Sequence, residues 1–259
     1  MTPFVRLIGH SPLMLVALLG LLACGSPSAV AAEDPAIEPF ALRVLERMSG
    51  FVAGAKGLAY DAVTETVEVA GDGLPTRLRA EARVAARRPD RLYVDILSDE
   101  VHRRVTLVGR RVRLHDVLAD AYAVAEAPGG VEETLDLLEA KLGVFVPLGY
   151  VLRRDPLASI MEGVLELSYG GLDDVAGISC HYLAARQDDM AWEAWIEDGA
   201  QPVPRKLVFH FADEGGTTTY TALVEAWVFD PHLPDEGFAP PVADSAREVP
   251  LREMSRGGE

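Results

Sequence analysis

Along most of the chain, apolar residues recur at every second position. Leu78, Ala80, Ala82, Val84 and Ala86 alternate with Arg77, Arg79, Glu81, Arg83 and Ala85. Val63, Val67 and Val69 alternate with Thr64, Thr66 and Glu68, and the same rule holds for Leu92/Val94/Ile96 and Val112/Leu114. After mid-chain come Leu165/Leu167/Tyr169, Cys180/Tyr182/Ala184, Trp192/Ala194/Ile196, Leu207/Phe209/Phe211 and Tyr220/Ala222/Val224/Ala226/Val228. Period two predicts antiparallel strands with one apolar and one wet face. Links such as Ala70-Gly71-Asp72-Gly73 are hairpin-length.

Three segments follow the helical period instead. Ile37, Phe40, Ala41, Val44, Leu45 and Met48 form an apolar stripe, with Asp34-Pro35 as the predicted start and Gly50 as the stop. Val131, Leu135, Leu138 and Leu142 form a second stripe ended by Gly143, and Asp155-Pro156 caps a third with Leu157, Ile160 and Met161 inward. The apolar run Phe145 to Leu152 fits neither period, because Pro147 and Gly149 interrupt it. About nine one-faced strands with three short helices leave two solutions, a closed barrel or a half-barrel lidded by helices.

The chain has 259 residues and a formal net charge of −16. That sign excludes a bulk nucleic-acid binder, which must neutralise phosphates. The N-terminus reads as an export address: Arg6, then the apolar run Leu13 to Leu22. Two processing sites compete. Leu21-Leu22-Ala23-Cys24 has the pattern of a bacterial lipobox, which would acylate Cys24 and attach the protein to a membrane. Ala29-Val30-Ala31 and Val30-Ala31-Ala32 fit ordinary signal peptidase. Residues 1–32 are therefore signal or signal plus tether, 33–243 a single domain, and 244–259 a charged tail expected to fray. The expected location is periplasmic, with outer-membrane anchoring in the lipoprotein case.

Four stretches carry a family resemblance. Arg87-Arg88-Pro89-Asp90-Arg91-Leu92-Tyr93-Val94-Asp95 resembles the R-P-D-R-L-R-V-E strand of exported LolA-like proteins. Asp174 to Leu183 resembles their V-x-G-x-x-C-x-x-L strand. Trp192 to Gly199 with Pro204-Arg205-Lys206 resembles their W-x-x-W-I-x-x-G…P-R-K hairpin. Leu233 to Phe238 with Pro240-Pro241 is similar to the closing L-P-x-x-x-F-x-x-P. The pattern is most similar to a predicted-periplasmic family of unknown function within the LolA/LolB/LppX-like group. The resemblance implies an α+β fold, a curved antiparallel half-barrel with helices packed on its concave face. It also implies carriage of lipids or acyl chains.

Catalytic chemistry is sparse in the sequence. No Gly-rich phosphate loop, H-E-x-x-H, C-x-x-C or G-x-S-x-G occurs, so neither an enzyme, a cofactor nor a metal site is expected. Cys180, in an apolar strand, reads as a small buried hydrophobe. Trp192 and Trp195 fall on opposite strand faces, so at least one packs in the core. Residues 77–113 hold eleven arginines against Glu81, Asp90, Asp95, Asp99 and Glu100. Arg87, Arg88, Arg91, Arg103 and Arg104 are candidates for a patch that meets anionic headgroups; the plain alternative is the wet faces of strands. Ala82, Val84, Leu92, Val94, Ile96, Val112, Leu114 and Trp192 are the candidate ligand-lining residues, under a lid of Phe145, Pro147, Gly149 and Tyr150. The expected function is binding or carriage of a lipid, acyl or other apolar ligand. The alternative is an anchored interaction module whose interior is filled by its own side chains.

Overall fold

The computed structural model describes residues 36–70, 73–213 and 215–254, all within one compact unit. The expected signal segment and Cys24 lie outside the described residues. A single open sheet of 13 strands dominates, in the order β1-β8-β9-β10-β11-β12-β2-β3-β4-β5-β6-β7-β13. Its strands are β1 Ala36–Ile37, β2 Gly57–Ala70, β3 Pro75–Arg87, β4 Arg91–Leu97, β5 His102–Val108, β6 Arg111–Asp116 and β7 Ala121–Glu126. Then come β8 Glu166–Val175, β9 Ile178–Arg186, β10 Met190–Glu197, β11 Pro204–Asp213, β12 Gly216–Phe229 and β13 Arg247–Glu248. The sheet is curved, unclosed and antiparallel throughout, except that β1 and β13 pair parallel with β8 and β7. Of the two solutions left open by the sequence, the half-barrel is the one adopted.

The helices α1 Pro39–Gly54, α2 Val131–Leu142, α3 Pro156–Met161 and α4 Leu251–Met254 accompany it. α1 is amphipathic and buries Ala41, Val44, Leu45, Met48 and Val52 without remaining exposure above 3%. It starts one turn later than Asp34-Pro35 suggests. Ala36 and Ile37 are instead drawn into the sheet edge, where Ala36 N donates to Leu165 O at 2.7 Å and Glu38 N to Leu167 O at 2.9 Å. Pro39 takes the first helical position. Nor does Gly50 stop the helix; it faces solvent, and the packing of Phe51 and Val52 beyond it outweighs a propensity cost of about 1 kcal/mol. α2 ends as expected at Gly143, whose φ of 60° suits the left-handed cap that sends Gly143 N back to Leu138 O. α3 is capped by Asp155, which accepts from Ala158 N at 2.9 Å.

Strand phase departs from the sequence reading in two places. In β2 the core face carries Leu58, Tyr60, Ala62 and Thr64, while Val63, Val67 and Val69 lie on the other face. In β12 a bulge between Val224 and Ala226 flips the alternation. Trp227 and Phe229 therefore turn toward the core and Val228 is 51% exposed. β5 and β7 lack a clear alternating signature and were not among the expected strands.

The tail does not fray where expected. β13 pairs with β7, and Met254 of α4 enters the main core at 6% exposure. Together β1 and β13 cover both ends of an otherwise open sheet, as edge strands require.

Candidate functional site

The strand register sets the concave face as a series of cross-strand rows. Phe229, Leu58, Ala86, Leu92, Leu107 and Val112 form one row; Trp227, Tyr60, Val84, Val94, Val105 and Leu114 form the next. From β2 through β6 these rows are sealed, with every side chain at 3% exposure or less. The following row, Ala62-Ala82-Ile96-Arg103, opens part-way: Ala82 is buried, while Ile96 and Arg103 are half-buried. Further along, Trp192-Phe209-Tyr220-Thr66-Leu78 runs from 1% exposure at Trp192 to 48% at Leu78. All eight candidate lining residues thus lie on the concave face, five of them in the sealed rows: Val84, Leu92, Val94, Val112 and Leu114.

Aromatic rings line the open end. Phe145 meets the Tyr220 ring edge-on at 5.5 Å, Phe209 lies 6.3 Å from Tyr220, and Phe209 stacks with Phe211 at 6.2 Å. Phe51 of α1 packs on Phe229 at 4.8 Å, and Tyr60 on Trp227 at 4.8 Å. The sequence held Phe209, Phe211 and Tyr220 in its alternating runs, but nothing marked them as a site.

The irregular segment between α2 and α3 lies over this face. Val144, Val146, Leu148, Val151 and Leu152 are buried, and Gly149–Leu152 forms a 3-10 turn, a more ordered cover than Pro147 and Gly149 suggest. Tyr60 donates its hydroxyl to Pro147 O. The phenols of Tyr60, Tyr150 and Tyr220 thus converge on the segment. Burial pushes all three upward in pKa, and for Tyr60 the neighbouring Tyr220 and Tyr150 add to it. The hydroxyl of Tyr150 and the indole Nε1 of Trp192 are buried without a hydrogen-bond partner, and so is the Tyr220 hydroxyl, which sits beside Thr64.

The five candidate patch arginines do not form one surface. Arg87 and Arg91 sit on the convex face and share Asp235, Arg91 at 2.8 Å. Their pull, Arg91 first, holds the Asp235 carboxyl below its usual range. Arg104 pairs with Asp95 at 3.3 Å on the same face, whereas Arg103 is on the concave side, in register with Ile96. Arg88 turns into the seam between sheet and helix. Its Nη1 donates to Val52 O at 3.2 Å and Ala55 O at 2.8 Å, and its Nη2 to Val151 O at 2.8 Å and Arg153 O at 3.5 Å. α1 has no basic residue in its last turn, so Arg88 supplies the cation and donors that its terminal carbonyls need. Sequence alternation cannot reveal this, since a strand-end arginine has reach enough to leave its own face.

The remaining chemistry is structural in character. Cys180 is fully buried on the convex side with Trp195, Val175 and Val208, and burial pushes its thiol up to about 11. Trp195 donates to Asp173 Oδ2 at 2.8 Å and lies under Lys206 at 4.1 Å, so both tryptophans are buried, on opposite faces. His181 lies between Tyr169 Oη, 3.2 Å from Nδ1, and Asp198 Oδ1, 3.1 Å from Nε2. Among the described residues no cluster of His, Cys, Asp and Glu is placed to hold a metal.

The fold is similar at low identity to several solved structures. An uncharacterized conserved protein from Thermus thermophilus aligns with a TM-score of 0.47 and 14% identity, covering 82% of this chain and 99% of that one. The lipoprotein LppX of Mycobacterium tuberculosis aligns with a TM-score of 0.46 and 14% identity, over 76% and 99%. A LolA superfamily protein from Nitrosomonas europaea aligns with a TM-score of 0.36 and 11% identity, over 77% and 97%. Among curated proteins none matches the sequence. A family model does match, over residues 41–252, which span α1 to α4 and therefore the whole described sheet except β1. The chain belongs to that family, described as "Predicted periplasmic protein (DUF2092)".

Proposed function

We propose that this chain is a non-enzymatic cell-envelope protein that binds an acyl chain or similar apolar ligand on the concave face of its sheet. One observation carries the reading. The concave face is sealed along two rows from β2 through β6, and the rows beyond them open toward Leu78, Ile96 and Phe211, where aromatic and aliphatic side chains remain part-exposed. An apolar concave wall with few polar groups is the usual make-up of a ligand site. Phe145, Pro147, Gly149 and Tyr150 serve as the cover of its mouth, and Ala82 keeps the wall thin beside it.

The test is native mass spectrometry of protein purified from envelope fractions. A lipid-mass adduct that is lost on denaturation is the expected result. Bare protein that also takes up no acyl probe overturns the reading in favour of a filled interior that works by its surface. Attachment through Cys24 is part of the same proposal. Cells fed a clickable fatty acid should label the wild type and not Cys24→Ser; equal label in both, or an N-terminus at Ala32 or Glu33, means ordinary secretion.

A further inference from the structure

The row Trp192-Phe209-Tyr220 crosses β10, β11 and β12 in direct register on the concave face. It carries two buried polar atoms without a partner at hydrogen-bond geometry, Trp192 Nε1 and Tyr220 Oη, on either side of the Phe209 ring, with the Thr64 side chain close to the Tyr220 hydroxyl. Tyr150, on the cover, adds a third such hydroxyl. A buried donor left unmatched is costly, and native proteins rarely tolerate several in one region. Indole N–H can only donate, and a phenol donates readily, so the group that completes the row is an acceptor. The row's own members are uncharged, and so is Phe145, which covers Tyr220. A carboxylate or phosphate buried there would lack a countercharge, which costs far more than a neutral carbonyl does. We infer that the ligand carries an uncharged carbonyl acceptor, an acyl ester, seated on Trp192 Nε1 and Tyr220 Oη with its chain lying along the apolar rows. This rests on the proposed function and specifies the chemistry of its ligand.

The probes are cis-parinaric acid and its methyl ester, which share one fluorescent chain and differ only in the head group. At pH 7.5 the ester should bind the wild-type protein about tenfold more tightly than the acid, the scale of one or two net hydrogen bonds plus the carboxylate's desolvation. Tyr220→Phe should cut that ester-to-acid ratio about fivefold while the melting temperature holds or rises, because an unmatched hydroxyl has been removed. Trp192→Phe, with its own melting curve, gives a second reading of the same ratio. An acid that binds as well as the ester places the head group elsewhere, such as beside Arg103 at the rim, and overturns the inference. A ratio that survives both substitutions does the same, because water alone then satisfies the donors. Failure of both probes to bind counts against the proposed function itself.

Discussion

Arg88 is a charged side chain that works inside the fold. Four backbone carbonyls, from the end of α1 and from the turn at Val151 and Arg153, converge on one guanidinium. Burial lowers its pKa, yet an arginine retains its proton at any physiological pH. Arg88→Leu strips the donors from these carbonyls, several of them part-buried, and should destabilise the protein by about 2–4 kcal/mol in urea unfolding. Arg88→Lys, with a compact ammonium in place of a planar fork, should recover only part of that. A loss within about 0.5 kcal/mol for Arg88→Leu would mean that the residue behaves as a surface arginine. In the sequence Arg88 is indistinguishable from Arg87 and Arg91, whose ion pairs do face solvent.

At the scale of elements, alternation identified most strands but not always their inward face. β2 shows why: Tyr60 and Thr64 face the core while Val63, Val67 and Val69 do not, because the strand's register with β3 and β12 decides the matter. In β12 an extra residue, Glu225, breaks the period without leaving any mark in the hydropathy pattern. The placement of the eight candidates on the concave face was legible because β3, β4, β6 and β10 alternate cleanly up to their pairing partners. The donors on Tyr220 and Trp192 became a site only once the register placed them in one row. The strap after β12 was legible only as a motif. Asp235 reaches Arg87 and Arg91, Phe238 is 1% exposed with the Arg87 guanidinium 5.3 Å above its ring, and Arg113 donates to Pro240 O. Because the folded Asp235 pKa is depressed, its stabilisation is complete above the unfolded value of about 3.9 and is lost as pH falls through the lower folded one. The melting-temperature gap between wild type and Asp235→Asn should therefore be present at pH 7 and close only below about pH 4. A gap that is constant across that range would show that the ion pairs do not hold the strap.

For the molecule as a whole, the question is whether the sheet's concavity is filled or leaves room. Among the described residues four α-helices accompany a sheet of 13 strands, and the largest is 16 residues long. Beneath them the sheet itself is thin, since Ala62, Ala82, Ala86 and Ala222 all turn small side chains inward at 3% exposure or less. Small residues permit either very close packing or spare volume, and the two respond in opposite ways to an added ring. Ala82 stands where the rows begin to open, with Ala62 on one side and half-buried Ile96 on the other. In a filled core, Ala82→Trp forces neighbours off their rotamers and costs about 1–3 kcal/mol or more. In a ligand-binding concavity the indole occupies ligand volume instead. The expected outcome is a melting temperature within a few degrees of wild type and a parinarate-ester affinity at least tenfold weaker. Unfolding of Ala82→Trp, together with a wild type that takes up no acyl probe, would establish a close-packed interior and leave the protein to act through its surface.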